Sequence, residues 1–189
     1  MQCGAHLPDG GLTCFSCSKD HKKHYDFIRS SAVFQDTIKH LIHKFKYQGK
    51  DFLNPYLSSL LINTFRSEPV FRLADVIIPV PMHWMKEFAR GYNQSELLAK
   101  EVSRKLSIRF LPYVLIKSRL RKPQTRLKKE DRRLNAEGSY KVLDKDKVKN
   151  KTVILVDDVC TTSSTINECA RVLKDAGAKK VFGLTIAHD

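Results

Sequence analysis

Apolar side chains recur along this chain in two rhythms, and the switches between them predict the order of its elements. From residue 33 to 46 the apolar positions are Val33, Phe34, Ile38, Leu41, Ile42 and Phe45; from 52 to 65 they are Leu53, Leu57, Leu60, Leu61 and Phe65. Steps of three and four predict two helices, each laying one stripe on a core. Lys46, Tyr47 and Gly49 close the first of them. The rhythm changes at Ala74–Val80, where Val76-Ile77-Ile78 run unbroken into Pro79-Val80-Pro81. A short continuous apolar run predicts a strand buried on both faces, and the prolines predict that its ladder stops and a loop begins at Pro79. Helical spacing returns from Tyr92 to Leu106, with Leu97, Leu98, Val102 and Leu106 inward. Val153-Ile154-Leu155-Val156 predicts another buried strand, and Ile166 to Ala176 a helix that stops at Gly177. Buried strands alternating with amphipathic helices predict an α/β fold with a parallel sheet.

The second strand leads into the chemistry. Asp157 and Asp158 follow its apolar run, and Cys160-Thr161-Thr162-Ser163-Ser164-Thr165 connects them to the last helix. In an open α/β sheet, ligands bind at the carboxyl ends of the strands. A helix opening out of small hydroxyl residues presents free N–H groups and the positive end of its dipole to an anion. Thr161, Thr162, Ser163, Ser164 and Thr165 are therefore candidates to hold a phosphate. The two carboxylates could accept hydrogen bonds from vicinal hydroxyls, or hold Mg2+ through water. A phosphate beside a diol describes a ribose 5-phosphate. The plain alternative is a strand end followed by a helix cap. A Walker-B strand would need a G-x-x-x-x-G-K-[ST] loop, which none of the eight glycines begins. A receiver domain would need more βα units than the chain beyond Asp158 can supply.

Charge sharpens the picture. The net charge is +14, and the segment Lys117 to Lys151 holds fourteen Lys or Arg against five Asp or Glu. Such a run is often only a solvated face, but it also gives sequence-independent affinity for nucleic acid. Phe110, Tyr92, Tyr113 and Tyr140 are interleaved with it and could stack on single-stranded bases. With 42% apolar residues, the 189-residue chain can supply one ordinary core plus a small appendage. No apolar run approaches the ~18 residues of a membrane span, and no basic-then-apolar leader opens the chain. The expectation is a cytoplasmic protein with no membrane insertion. Cys160 and Cys169 read as reduced thiols, whereas Cys3, His6, Cys14 and Cys17 include a C-x2-C pair and suggest a structural Zn2+ site.

The segment VILVDDVCTTSST resembles the phosphoribosyl pyrophosphate (PRPP) loop of type I phosphoribosyltransferases. Together with FKYQGK from Phe45, IPVPMHW from Ile78, RGYNQSELLA from Arg90, QTRLKKEDRRLN from Gln124 and DAGA from Asp175, in that order, it makes most of residues 25–189 resemble the ComF (competence protein F-like) family. The resemblance implies a type I phosphoribosyltransferase-like central parallel sheet flanked by helices, with a small N-terminal zinc-knuckle and hood region. Residues 1–25 would be a partial knuckle, 26–189 the phosphoribosyltransferase-like domain, and 117–151 a basic mobile hood. Family members generally begin with two C-x2-C pairs. Cys3 would then be the second half of the first pair, so either His6 substitutes as fourth ligand or the natural chain starts upstream of Met1. Asp157 and Asp158 would be the catalytic pair at the ribose hydroxyls. Pyrophosphate would fall to Pro81, Met82 and His83, within a turn reaching Met85, with charge from Lys86 and Arg90; a salt-bridged surface role suits Arg90 equally. The hood would contribute Arg119, Gln124, Arg126, Arg132, Arg133 and Asn135, closing to exclude water and stabilise the departing diphosphate. FKYQGK recurs beside the active site in the family, which makes Lys46 a candidate contact. Ser163 stands where the family usually has Gly, so a positive φ there would strain the cradle. The function implied is PRPP and Mg2+ binding with phosphoribosyl transfer in natural competence, acting on incoming single-stranded DNA or a nucleotide-related acceptor, with competence and DNA-uptake proteins as partners. The alternative is a non-catalytic, basic single-stranded-DNA-binding factor that keeps the PRPP site as a ligand sensor.

Overall fold

The computed structural model describes residues 23–47, 49–118 and 138–189. In chain order its strands are β1 (Phe27–Val33), β2 (Val76–Pro79), β3 (Arg109–Phe110), β4 (Leu115–Lys117), β5 (Tyr140–Val142), β6 (Thr152–Cys160) and β7 (Lys180–His188). Its α-helices are α1 (Asp36–Tyr47), α2 (Asn54–Ser67), α3 (Trp84–Arg90), α4 (Gln94–Leu106) and α5 (Ser164–Asp175), with 3-10 turns at Asp51–Leu53 and Pro69–Leu73. Five strands form one sheet in the order β1-β7-β6-β2-β3, every pairing parallel. β4 and β5 form a separate antiparallel ribbon.

The pleat of β6 divides the core. Val153 and Leu155 join Val76, Ile78 and Val181 on the face covered by Ile166, Cys169, Ala170 and Leu173 of α5 and by Leu115, Tyr140 and Val142 of the ribbon. Ile154 and Val156 join Ile77, Phe182 and Leu184 on the opposite face, under Phe45 of α1, Leu57 and Leu61 of α2, and Leu98 and Val102 of α4. Strands buried on both faces carry apolar side chains at successive positions, which is why Val76–Ile78 and Val153–Val156 read as unbroken runs.

Two strands depart from the sequence expectation. β1 is an edge strand whose middle is polar: Ser30 pairs its hydroxyl with Thr185 at 2.6 Å, and Arg29 meets Glu68 at 2.5 Å. It therefore shows neither a continuous run nor clean alternation, and Val33, expected to open a helix, ends the strand instead. β7 is central but interrupted by Gly183, where a Cβ would lie 2.9 Å from Ile28 Cγ1. Glycine weakens the strand signal yet allows β1 to approach. β6 also runs further than its apolar stretch, pairing Asp157 with Thr185 and Cys160 with His188. The acids are thus the sixth and seventh of the strand's nine residues, and the connecting loop begins at Thr161. Among the described residues, no helix is long and apolar enough to cross a membrane.

Candidate functional site

The carboxyl end of β6 is held in place by a bracket drawn from earlier in the chain. Gly91 ends α3 with φ 87°, a left-handed turn that glycine adopts without a Cβ clash. The turn lets Tyr92 donate to the Phe45 carbonyl, while Asn93 donates to the Val80 carbonyl at 3.2 Å. The Asn93 carboxamide oxygen also accepts from the Ser95 amide and caps α4. Arg90 donates to Gln94 at 2.5 Å and lies 4.8 Å above the Tyr47 ring. One short stretch thus ties the end of α1, the loop after β2 and the start of α4 together. Its product is Ser95, whose hydroxyl donates to Asp157 Oδ1 at 2.8 Å.

The two acids fare differently. Asp157 accepts from Ser95 and from the Asp158 amide, the latter at 2.9 Å. Burial, followed by the neighbouring Asp158 charge, pushes its carboxyl up to about 7, against the opposing pull of Lys46 and Ser95. Asp158 is 7% exposed, and the Lys46 ammonium lies 2.8 Å from its Oδ1. Lys46 occupies the last turn of α1, where the helix dipole favours a cation.

Beside Asp157, but not lined by Asp158, is a small polar hollow formed by Asp157, Val159, Cys160, Thr161, Thr162, Ser163, Ser164, Thr165 and Ile166. Thr162 and Ser164 pair their hydroxyls at 2.8 Å. Ser163 has φ 53° and donates to the Thr162 carbonyl at 2.7 Å, with the Tyr25 hydroxyl 3.3 Å away. Its side chain does not cap α5, so the first amides of that helix have no partner from their own cap residue. The site departs here from the glycine-type bend: a residue with a Cβ occupies the left-handed conformation, held by its own hydroxyl. The ribbon reaches the same hollow, because Tyr140 hydrogen-bonds Thr165, and burial holds its phenol far above the usual range. Lys117 lies 5.1 Å over the Tyr140 ring, and burial together with the charge of Lys86 depresses its ammonium. Lys117 thus brings a cation from β4 within electrostatic reach of Asp157.

Pro81 and Met82 form the loop after β2 and are partly buried. His83 is buried and caps α3 through Nδ1, which accepts from the Met85 amide at 3.2 Å. Met85, expected in the loop, already lies in α3, where Lys86 is exposed and Arg90 is engaged by Gln94 and Tyr47. Arg119, Gln124, Arg126, Arg132, Arg133 and Asn135, like Cys3, His6, Cys14 and Cys17, lie outside the described residues. Ser95 was not expected at the site from sequence, and Lys117 and Tyr140 fall within the 117–151 segment expected as a hood without being named as its contacts. Their approach depends on tertiary contacts, 62 residues apart for Ser95 and Asp157.

No group of three or more His, Cys, Asp or Glu able to hold a metal occurs among the described residues. Asp157 and Asp158 are consecutive in a strand, so their side chains start from opposite pleat faces. Hard oxygen donors suit Mg2+, and two of them suit an ion that keeps most of its waters rather than one fully caged by protein.

Residues 93–188 match the phosphoribosyl transferase domain family. Over 191 residues the chain is 31% identical to "Competence protein F" of Haemophilus influenzae, spanning 98% of this chain and 83% of that protein. The chain belongs to the ComF family. Within it, the "DNA utilization protein YhgH" of Escherichia coli O6:H1 is 29% identical over 95% of this chain and 79% of its own length. The "Competence protein ComFC" of Bacillus subtilis is 28% identical over 84% of this chain and 62% of its own. This ComF protein carries its acidic pair, cradle and Ser95 inside the matched domain, while Lys46 and the loop after β2 come from the segment ahead of it.

Proposed function

We propose that this protein binds PRPP with Mg2+ and transfers the ribose 5-phosphate group to a nucleophile during the handling of DNA. The observation that carries the reading is the hollow at the carboxyl end of β6 that joins Asp157 to the Thr161–Thr165 bend opening α5, with Asp158 next in the strand. The bend's amides and hydroxyls suit the 5-phosphate, and the acids suit the ribose hydroxyls. In the reaction, the bond from the anomeric carbon to the diphosphate oxygen breaks and a bond to the acceptor forms. Mg2+ carried on the diphosphate would offset the charge of the leaving group. Lys117, within electrostatic reach of Asp157, would add to that stabilisation. Membership of a family with relatives named for competence and DNA utilization supports the process, and the matched domain supports the transferase chemistry.

Titration calorimetry with PRPP and Mg2+ tests this reading. Wild-type protein should release or absorb heat, and Asp157→Asn with Asp158→Asn should weaken binding by about 100-fold or more, the scale of losing two charge-assisted hydrogen bonds. An absence of heat with wild-type protein would remove the assignment.

A second reading, a basic factor for single-stranded DNA, is favoured by aromatic rings left exposed in two places. α3 leaves Trp84 68% and Phe88 88% exposed beside Met85 and Lys86, and Lys50 lies 5.5 Å over the exposed Phe52 ring. Bases stack on exposed aromatic rings, and flanking cations meet phosphates. Fluorescence anisotropy with a labelled single strand should show affinity that falls steeply with salt and with charge reversal between 117 and 133. Affinity indifferent to both would exclude it. At the amino terminus, Cys3, His6, Cys14 and Cys17 are proposed as Zn2+ ligands; atomic emission should find about one zinc per chain if the four close a site.

A further inference from the structure

We propose that Lys46 is the built-in cation of the acidic pair. It keeps free divalent metal out of the empty site, so that metal enters only on a polyanionic ligand. The proposal rests on Asp157 and Asp158 forming the ligand site argued above.

Three observations carry it. Asp158 is buried, and a buried carboxylate is costly without a partner; Lys46, 2.8 Å away, is that partner. The ammonium is also placed in advance. Phe45, beside it in the last turn of α1, is fully buried, and the Phe45 carbonyl accepts from Tyr92, so the backbone that carries Lys46 is anchored on both sides of the bracket. Finally, no third metal-binding side chain accompanies the two acids among the described residues. A divalent ion therefore has to draw on Asp158, and it meets a positive charge already there. Like charges about 4 Å apart near a protein surface repel strongly enough to offset much of what one carboxylate contributes. A ligand bearing phosphates changes the balance. Its oxygens offer the ammonium a second anion, which frees Asp158 to accept from ligand hydroxyls, and the ligand supplies the metal with the oxygens that the protein lacks.

The test measures Mn2+, as a paramagnetic stand-in for Mg2+, bound to the full chain without PRPP, by water-proton relaxation at fixed pH and ionic strength. Wild-type protein should bind Mn2+ weakly. Lys46→Met should tighten binding by about ten-fold, Lys46→Gln should do the same while keeping a hydrogen-bond donor, and Lys46→Arg should remain weak. Adding Asp158→Asn to Lys46→Met should abolish the gain. Circular dichroism identifies any variant that fails to fold, and the Gln and Arg variants then carry the comparison. Equal Mn2+ affinity in wild type and Lys46→Gln would overturn the proposal, as would Lys46→Arg binding as tightly as Lys46→Gln. PRPP binding by wild type is a separate measurement. Its absence, with the Mn2+ pattern intact, would remove the transferase reading alone; its presence, with no Mn2+ gain, would remove the role of Lys46 alone.

Discussion

Two adjacent positions at the acidic end of β6 hold the same residue type and give it opposite treatment. Asp157 accepts from the Ser95 hydroxyl and from an amide, and no cation lies within ion-pair distance of it among the described residues. Asp158, next in the strand, is locked to the Lys46 ammonium. The difference comes from the partner that folding brings to each position, Ser95 for one and Lys46 for the other. A pair of carboxylates thereby acquires one member that takes up a proton readily and one whose charge is already matched. An acidic pair in sequence is thus not a symmetric site in space.

Single substitutions should break the pair's apparent symmetry. Asp158→Asn leaves Lys46 without its partner in a half-buried position, and removing one member of such a pair costs about 1–3 kcal/mol of stability. Asp157→Asn should cost less, and its effect should depend on pH. The Asp157 carboxyl lies near 7 in the folded protein and near 3.8 when unperturbed, so the native state holds the proton more tightly. Its contribution to stability is complete below the unfolded value and is lost as pH rises through about 7. The melting temperature of Asp157→Asn should therefore gain on wild type between pH 5 and pH 8, while that of Asp158→Asn should stay below wild type throughout. Thermal unfolding by circular dichroism in matched buffers checks both, and a flat Asp157→Asn difference would show that burial does not govern this carboxyl.

Much of this arrangement was legible in the sequence, for reasons that particular residues make plain. The buried strands β2 and β6 were visible because burial on both faces demands apolar residues in succession, as in Val76–Ile78 and Val153–Val156. α4 and α5 were visible because each has one buried stripe. β1 was hidden by Arg29, Ser30 and Ser31, whose partners Glu68, Thr185 and Thr64 are distant in the chain, and β7 by Gly183. At the site, acids and hydroxyls announced themselves by type and order, and Lys46 by its place in FKYQGK. The bracket from Arg90 to Ser95 did not, because most of its hydrogen bonds reach residues brought near only by folding. Arg90, read as a source of charge for pyrophosphate, is engaged as a brace between Gln94 and Tyr47.

The smallest expected effect concerns the cradle, where one side chain plays two parts. Ser163 holds φ 53°, a conformation that costs a residue with a Cβ about 1 kcal/mol relative to glycine. Its hydroxyl offsets this through the Thr162 carbonyl and the nearby Tyr25 hydroxyl, bonds worth about 0.5–1.5 kcal/mol each at most in net terms. Two substitutions separate the parts. Ser163→Ala keeps the backbone penalty and loses the hydroxyl, so it should destabilise by about 1 kcal/mol. Ser163→Gly loses the hydroxyl but also relieves the backbone, and glycine's greater freedom in the unfolded chain then leaves it between wild type and Ser163→Ala. Urea unfolding of the three proteins ranks them. If Gly proves no more stable than Ala, the left-handed bend is unstrained, and the hydroxyl alone accounts for serine at a position where the bend's geometry favours glycine.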